Sequence, residues 1–167
     1  MFALAVMAGG CSSGVGGSAR LSGATAPVPP LAAVVTVPSR TMRAGSTMPA
    51  RVIVFNRTGH AIAVSGCDPL FQVLLVSASY HPAVGWESCL RRFTIRVGES
   101  TYPATVAASY ADCYHGQPEG GLKRCLPGGA MPSLPAGEYE AVLFEVTGIV
   151  PLPPAIAIHV TAPGPTP

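Results

Sequence analysis

Charge is scarce in this chain. Asp, Glu, Lys and Arg make up 11% of its 167 residues, against about 25% in an average soluble domain. The formal net charge is only +2, and no basic cluster exceeds two residues. Nucleic-acid binding needs a basic stripe or patch, so that class is excluded. Long hydrophobic runs are missing too: none approaches the roughly 18 residues of a membrane-spanning helix. Several catalytic signatures are absent. The four histidines, His60, His81, His115 and His159, form no HExxH or HxH pattern. There is no GxSxG elbow, and the glycine pairs at 9–10, 16–17, 120–121 and 128–129 match neither GxGxxG nor a phosphate loop. No cofactor or metal is expected, and the chain is read as a non-enzyme.

What is present favours strands. Val and Ile number 24 against 12 Leu, a bias towards β-structure. The 19 Gly and 18 Pro punctuate short apolar runs. The length fits one domain.

The first thirty residues stand apart. Residues 2–8 read FALAVMA, followed by Gly9, Gly10, Cys11, Ser12 and Ser13. This resembles the end of a bacterial lipoprotein signal, in which an apolar segment and small residues precede a Cys that is acylated and becomes the mature N-terminus. The resemblance implies residues 1–10 as a signal remnant, lipidation (palmitate included) at Cys11, and an extracytoplasmic protein anchored to a membrane of the cell envelope. Residues 12–30, SSGVGGSARLSGATAPVPP, are too poor in apolar side chains to offset ordering entropy. They read as a tether reaching roughly 25 Å. Residues 31–162 are the expected folded domain, and 163–167 a disordered tail.

Setting Cys11 aside leaves Cys67, Cys89, Cys113 and Cys125. An even four in an exported chain implies two disulfides with three possible connectivities. Cys67–Cys89 and Cys113–Cys125 are favoured because each pair brackets one loop-rich segment. The alternative of a four-thiolate zinc site fits poorly, because its ligands usually stand two to four residues apart.

Strands are expected at 32–37, 51–56, 61–64, 71–76, 93–97, 102–110, 138–146 and 156–160. Residues 51–56 are apolar on both faces and should be central. Residues 57–59 and 98–100 should turn the chain. Phe93, Ile95 and Val97 should point inward, as should Tyr102, Ala104, Val106, Ala108 and Tyr110, and then Ile156, Ile158 and Val160, leaving His159 outward. Seven or eight short strands without a helix suggest an antiparallel β-sandwich or barrel. Residues 134–141, LPAGEYEA, look like the tyrosine corner of immunoglobulin-like domains, in which a Tyr opens the penultimate strand and bonds backbone upstream. The resemblance implies an immunoglobulin-like β-sandwich with Tyr139 as the corner residue and the disulfides in its loops.

Two loops are the candidate binding sites, because recognition residues often sit on loops held by a rigid scaffold. Residues 77–92 carry Tyr80, Trp86, Arg91 and Arg92, residue types enriched at binding hot spots. Residues 113–125 carry His115, Glu119, Lys123 and Arg124 between two cysteines. Asn56-Arg57-Thr58 also matches a glycosylation sequon by chance. Two functions follow as expectations: an envelope binding module with an unidentified protein or ligand as partner, or a protease inhibitor presenting Lys123-Arg124. The second draws on turn grammar similar to that of the bacterial intracellular proteinase inhibitor family, which is also all-β.

Overall fold

The computed structural model describes residues 29–82, 91–116, 122–145 and 147–163. Residues 1–28, 83–90, 117–121, 146 and 164–167 lie outside that description. With them lie the expected signal remnant, the lipidation site Cys11, most of the tether, and the binding candidates Trp86 and Glu119.

The described chain is all-β. Its strands are β1 (Leu31–Thr36), β2 (Thr41–Arg43), β3 (Thr47–Asn56), β4 (Ile62–Gly66), β5 (Phe71–Val76), β6 (Arg91–Ile95), β7 (Gly98–Ala107), β8 (Cys113–Tyr114), β9 (Lys123–Arg124), β10 (Gly137–Glu145) and β11 (Ile156–Thr161). The one helical element among the described residues is a single 3-10 turn at Pro127–Gly129. The strands assemble as β1-β3-β7, β2-β11-β10-β5, β4-β6 and β8-β9. Most pairings are antiparallel. The two exceptions, β2 on β11 and β8 on β9, are parallel and involve strands of three or two residues.

Period-2 alternation builds the core. Met48, Ala50, Val52 and Val54 of β3 are buried beside Val106 of β7 and Ala33 and Val35 of β1. From the other large sheet come Phe71, Val73 and Leu75 of β5, Ala141 and Leu143 of β10, and Ile158 and Val160 of β11. The Phe71 and Tyr102 rings meet edge-on at 4.8 Å, joining β5 to β7 across the two sheets. Ile53 and Phe55, on the other face of β3, are half-buried, with the Arg57 guanidinium 5.2 Å from the Phe55 ring centroid. This central strand is covered on both faces, as its sequence suggested.

Hydrogen-bond parity explains the strand prolines. The Arg57 N–H donates to the Pro30 carbonyl. In the register Leu31↔Asn56 to Thr36↔Arg51, residues 32, 34 and 36 therefore make the ladder bonds to β3, and 31, 33 and 35 direct their backbone groups away from it. Arg51 bonds Thr36, so its pairing with Pro103 on β7 is of the non-bonded kind. The proline nitrogen then faces the outer edge, where no donor is missed. Pro49 lies beyond the reach of β1, which pairs only with residues 51–56, so it too removes no ladder bond.

Asn56 is the one buried polar residue of the described core, at 1% exposure. Its Nδ2 donates to the carbonyls of His60 (2.9 Å) and Ile95 (3.2 Å), while Oδ1 accepts from the Thr58 N–H (3.1 Å) and hydroxyl (2.7 Å). It pins the turn after β3 to the end of β6. A buried, fully bonded amide leaves no room for a glycan, in keeping with a chance sequon.

Several expectations need correction. Val97 is 52% exposed rather than inward, because β6 ends at Ile95. Residues 98–100 open β7 rather than forming a separate turn, with Gly98 in the left-handed region at φ +89°. The strand count of seven to eight falls short of the eleven described, since β2, β8 and β9 are too short to show periodicity.

Candidate functional site

The segment from Ser109 to Ser133 leaves β7 and returns to β10 as one long excursion, joined at its base by a bridge between those two serines. Within it Cys113 and Cys125 stand at disulfide distance, with S–S 1.96 Å and Cα–Cα 5.0 Å. This is the expected pairing of that loop. Cys67 is likewise disulfide-bonded; its expected partner, Cys89, lies outside the described residues.

Around the Cys113–Cys125 pair the backbone is extended. Cys113 lies opposite Lys123 and Tyr114 opposite Arg124, and the Cys125 N–H donates to the Tyr114 carbonyl at 3.1 Å. Lys123 and Arg124 are both exposed, and neither makes an ion pair among the described residues. The chain then tightens: Leu126 N–H donates to the Ala130 carbonyl and Gly129 N–H to the Leu126 carbonyl. Gly128 and Gly129 both have φ near +80°, a conformation that strongly favours glycine. The result is a surface hollow of about 650 Å³ lined by His115, Gly116, Arg124, Cys125, Leu126, Pro127, Gly128 and Gly129. Leu126 is 48% exposed and Met131 beyond it 41%, so apolar and cationic surface adjoin.

The other candidate loop is divided by the structure. Tyr80 is half-buried rather than presented. Its ring meets Tyr110 edge-on at 5.1 Å, and its hydroxyl accepts from the Ala111 N–H at 2.8 Å. Burial raises the Tyr80 phenol above its ordinary pKa. It therefore fastens the start of loop 77–82 to the base of the 109–133 excursion, with its polar tip satisfied as buried tyrosines require. Arg91 and Arg92 are carried on β6, opposite Gly66 and Ser65 of β4. Arg91 forms an exposed ion pair with Asp68, worth little in solvent. Arg92 is exposed. His115, Lys123 and Arg124 are thus brought together in one loop, Tyr80 braces it, and Arg91 and Arg92 belong to the separate two-stranded sheet β4-β6.

A second concave feature draws partly on the 77–92 loop. A groove of about 440 Å³ runs along Val76, Ser77, Ala78, His81, Glu138, Tyr139, Glu140 and Ala157. Glu138 and His159 are direct cross-strand neighbours, and their exposed side chains meet at 2.6 Å. His159 points outward, as its alternation suggested. Register across β10 and β11 could have revealed this pair only once the pairing of those strands was known. Among the described residues, no three His, Cys, Asp or Glu side chains gather as a metal set.

Tyr139 opens β10, 7% exposed, and its hydroxyl donates to the Pro135 carbonyl at 3.0 Å, four residues upstream. That is the contact the corner motif anticipates.

No family model matches the chain. No curated protein matches it, and no solved structure matches it.

Proposed function

We propose that this chain is an exported, lipid-anchored binding module of the cell envelope, whose head is an immunoglobulin-like β-sandwich that recognises a protein or ligand through the 113–125 loop. The head assignment is supported by the order β1-β3-β7 against β2-β11-β10-β5 and by the Tyr139 bond to Pro135. The tyrosine corner and the Greek-key sandwich go together in such domains. The anchor rests on the residues around Cys11 and the Gly/Ser-rich tether that follows. Several acyl chains on one Cys hold a protein at a membrane stably, where a single chain does not.

One observation carries the binding role: Lys123 and Arg124 are exposed and extended, pinned by Cys113 and Cys125 and flanked by a hollow with apolar surface. A braced loop gives up less conformational freedom on binding. The test is capture of envelope components by the full chain and by a Lys123→Ala/Arg124→Ala variant. Loss of a discrete partner from the variant, with its thermal unfolding unchanged, supports the role; identical capture removes it. Acyl labelling of wild type and Cys11→Ser tests the anchor separately.

The extended, exposed Lys123-Arg124 also supports a second reading, in which the loop enters a trypsin-like protease and inhibits it. Slow cleavage with inhibited turnover of a reporter peptide supports that reading; rapid nicking with no inhibition excludes it.

A further inference from the structure

We propose that β1 is the seam of a two-fold dimer in which each copy adds its β1 to the other's, joining two β1-β3-β7 sheets into one of six strands. This goes beyond the ligand-binding role and does not depend on the 113–125 loop.

The inference starts from hydrogen-bond parity. Leu31, Ala33 and Val35 turn their side chains into the core, at 8%, 7% and 8% exposure, and their N–H and C=O groups away from β3. Among the described residues nothing bonds these groups: β1 pairs only with β3, and no other backbone bond involves residues 31–36. Native sheets blunt such edges with charge, proline, bulges or a covering segment. β1 reads LAAVVT, with no charge, no proline and an unbroken register.

The other sheet edges differ. β7 carries Pro103 with its nitrogen outward. β2 has three residues, ending in Arg43. Beside β5, Tyr80 and Pro82 share a small hollow with Val73, Leu74 and Leu75. β6 carries Arg91 and Arg92, and β4, IAVSG, is shorter and belongs to a two-stranded sheet. Among the described residues β1 is the longest edge strand with no guard.

The edge is also self-complementary. An antiparallel pair centred on Ala33 sets Leu31 opposite Val35 of the second copy and Ala33 opposite Ala33. All three pairs are then of the bonded kind, and six N–H···O=C bonds satisfy every outward group of both strands. On the outer face Val34, 43% exposed, falls beside Ala32 of the second copy. These are small apolar side chains without like charges in opposition. Such an interface is isologous, so it closes at two copies. Pro29 and Pro30 before β1 and Pro38 after it confine the pairing to this stretch. The outer edges of the joined sheet are the two β7 strands with Pro103, which do not template further growth.

Pairing two six-residue edges buries less than the roughly 1,200 Å² of a stable complex, so the dimer forms and dissociates with concentration. Confinement to a membrane surface would favour it. The antiparallel seam places the two Leu31 residues about 14 Å apart, so tethers reaching roughly 25 Å each can enter one membrane.

The test uses the full chain carrying Cys11→Ser, so that no bridge through that thiol enters. Amide hydrogen exchange is followed by NMR from about 20 µM to about 1 mM. The expected result is a roughly tenfold rise in protection at Leu31, Ala33 and Val35, with Ala32, Val34 and Thr36 unchanged because they already bond β3. Ala33→Pro removes the central donor, and Val34→Lys sets two cations diagonally across the seam on the solvent side. Both should abolish the concentration dependence, and Val34→Lys should do so without lowering thermal stability. Concentration-independent exchange at the three amides overturns the proposal, as does protection that rises along β5 instead or that survives Val34→Lys.

Discussion

Replacing Asn56 probes the tightest polar knot in the domain. Asn56→Ala removes four hydrogen bonds at once. The partners fare differently. His60 is exposed and Thr58 half-buried, so water recovers most of what they lose. The Ile95 carbonyl, on a residue 1% exposed that also pairs with Ile62 of β4, loses a side-chain donor that water cannot readily replace, at about 1–3 kcal/mol. With roughly another 1 kcal/mol for the remaining bonds, the expected loss is about 2–4 kcal/mol. At about 4 °C per kcal/mol for a domain of this size, that lowers Tm by roughly 8–16 °C.

Asn56→Asp separates shape from donor count. It keeps the acceptor facing Thr58 but turns a second oxygen towards two carbonyls. The folded state then favours the protonated acid, so the folded pKa rises above the unfolded value of about 3.9. The folded state binds more protons, and stability falls as pH rises through that window. The deficit of Asn56→Asp against wild type should therefore shrink from pH 7 towards pH 4, while that of Asn56→Ala stays flat. Urea unfolding by far-UV circular dichroism at several pH values, with disulfides kept oxidised, measures both. An Ala deficit under about 0.5 kcal/mol, or an Asp deficit independent of pH, would refute the argument that the Ile95 carbonyl depends on this amide.

Four further outcomes are expected. Tyr139→Phe should cost only about 0.5–1.5 kcal/mol in the same assay, because its acceptor residue Pro135 is exposed and water replaces the lost donor. Gly45→Ala should destabilise by about 1–2 kcal/mol, since Gly45 has φ +78° and an added Cβ would stand 2.5 Å from Ser133 Oγ; Gly45→Ala/Ser133→Ala should recover part of the loss. Cys113→Ser/Cys125→Ser should lose about 3 kcal/mol in the chain-entropy estimate and be cut faster by trypsin at Lys123-Arg124, as peptide mapping would show. Burial raises the phenols of Tyr80, Tyr102 and Tyr139 above 10.0, so the fold retains protons the unfolded chain releases; chemical unfolding should show stability falling as pH rises beyond about 10.

Most of the large strands were legible because period-2 burial is local information. Residues 71–76 follow from a short, nearly continuous apolar run, and the Ile156, Ile158, Val160 stripe from alternation. β2 was not legible: Thr41–Arg43 has no periodicity, and pairing with β11, over a hundred residues away, makes it a strand. Val97 extended the alternation of Phe93 and Ile95, but Asn56 takes the Ile95 carbonyl, the strand stops, and Val97 falls in the turn. The candidate site was legible in part. Cysteine spacing marked the braced loop, whereas the hollow beside it depends on the Gly128-Gly129 conformation. Tyr80 carries a hot-spot residue type, but its environment depends on Tyr110 and Ala111, about thirty residues on, and no local pattern announces that contact.

The crossing of the chain at Pro38, from β1 in one sheet to β2 in the other, bears on mechanics. β2 lies parallel to β11, tied by the Arg40 carbonyl to the His159 N–H at 2.8 Å and by the Thr161 carbonyl to the Ala44 N–H at 2.9 Å. In a parallel pair, tension drawing the N-terminal side of one strand away from the C-terminal side of the other acts along both strands and strains all their bonds together. An antiparallel pair pulled from adjacent ends opens one bond at a time. A load entering before residue 29 and leaving after residue 163 would therefore meet a shear clamp between the first and last parts of the domain.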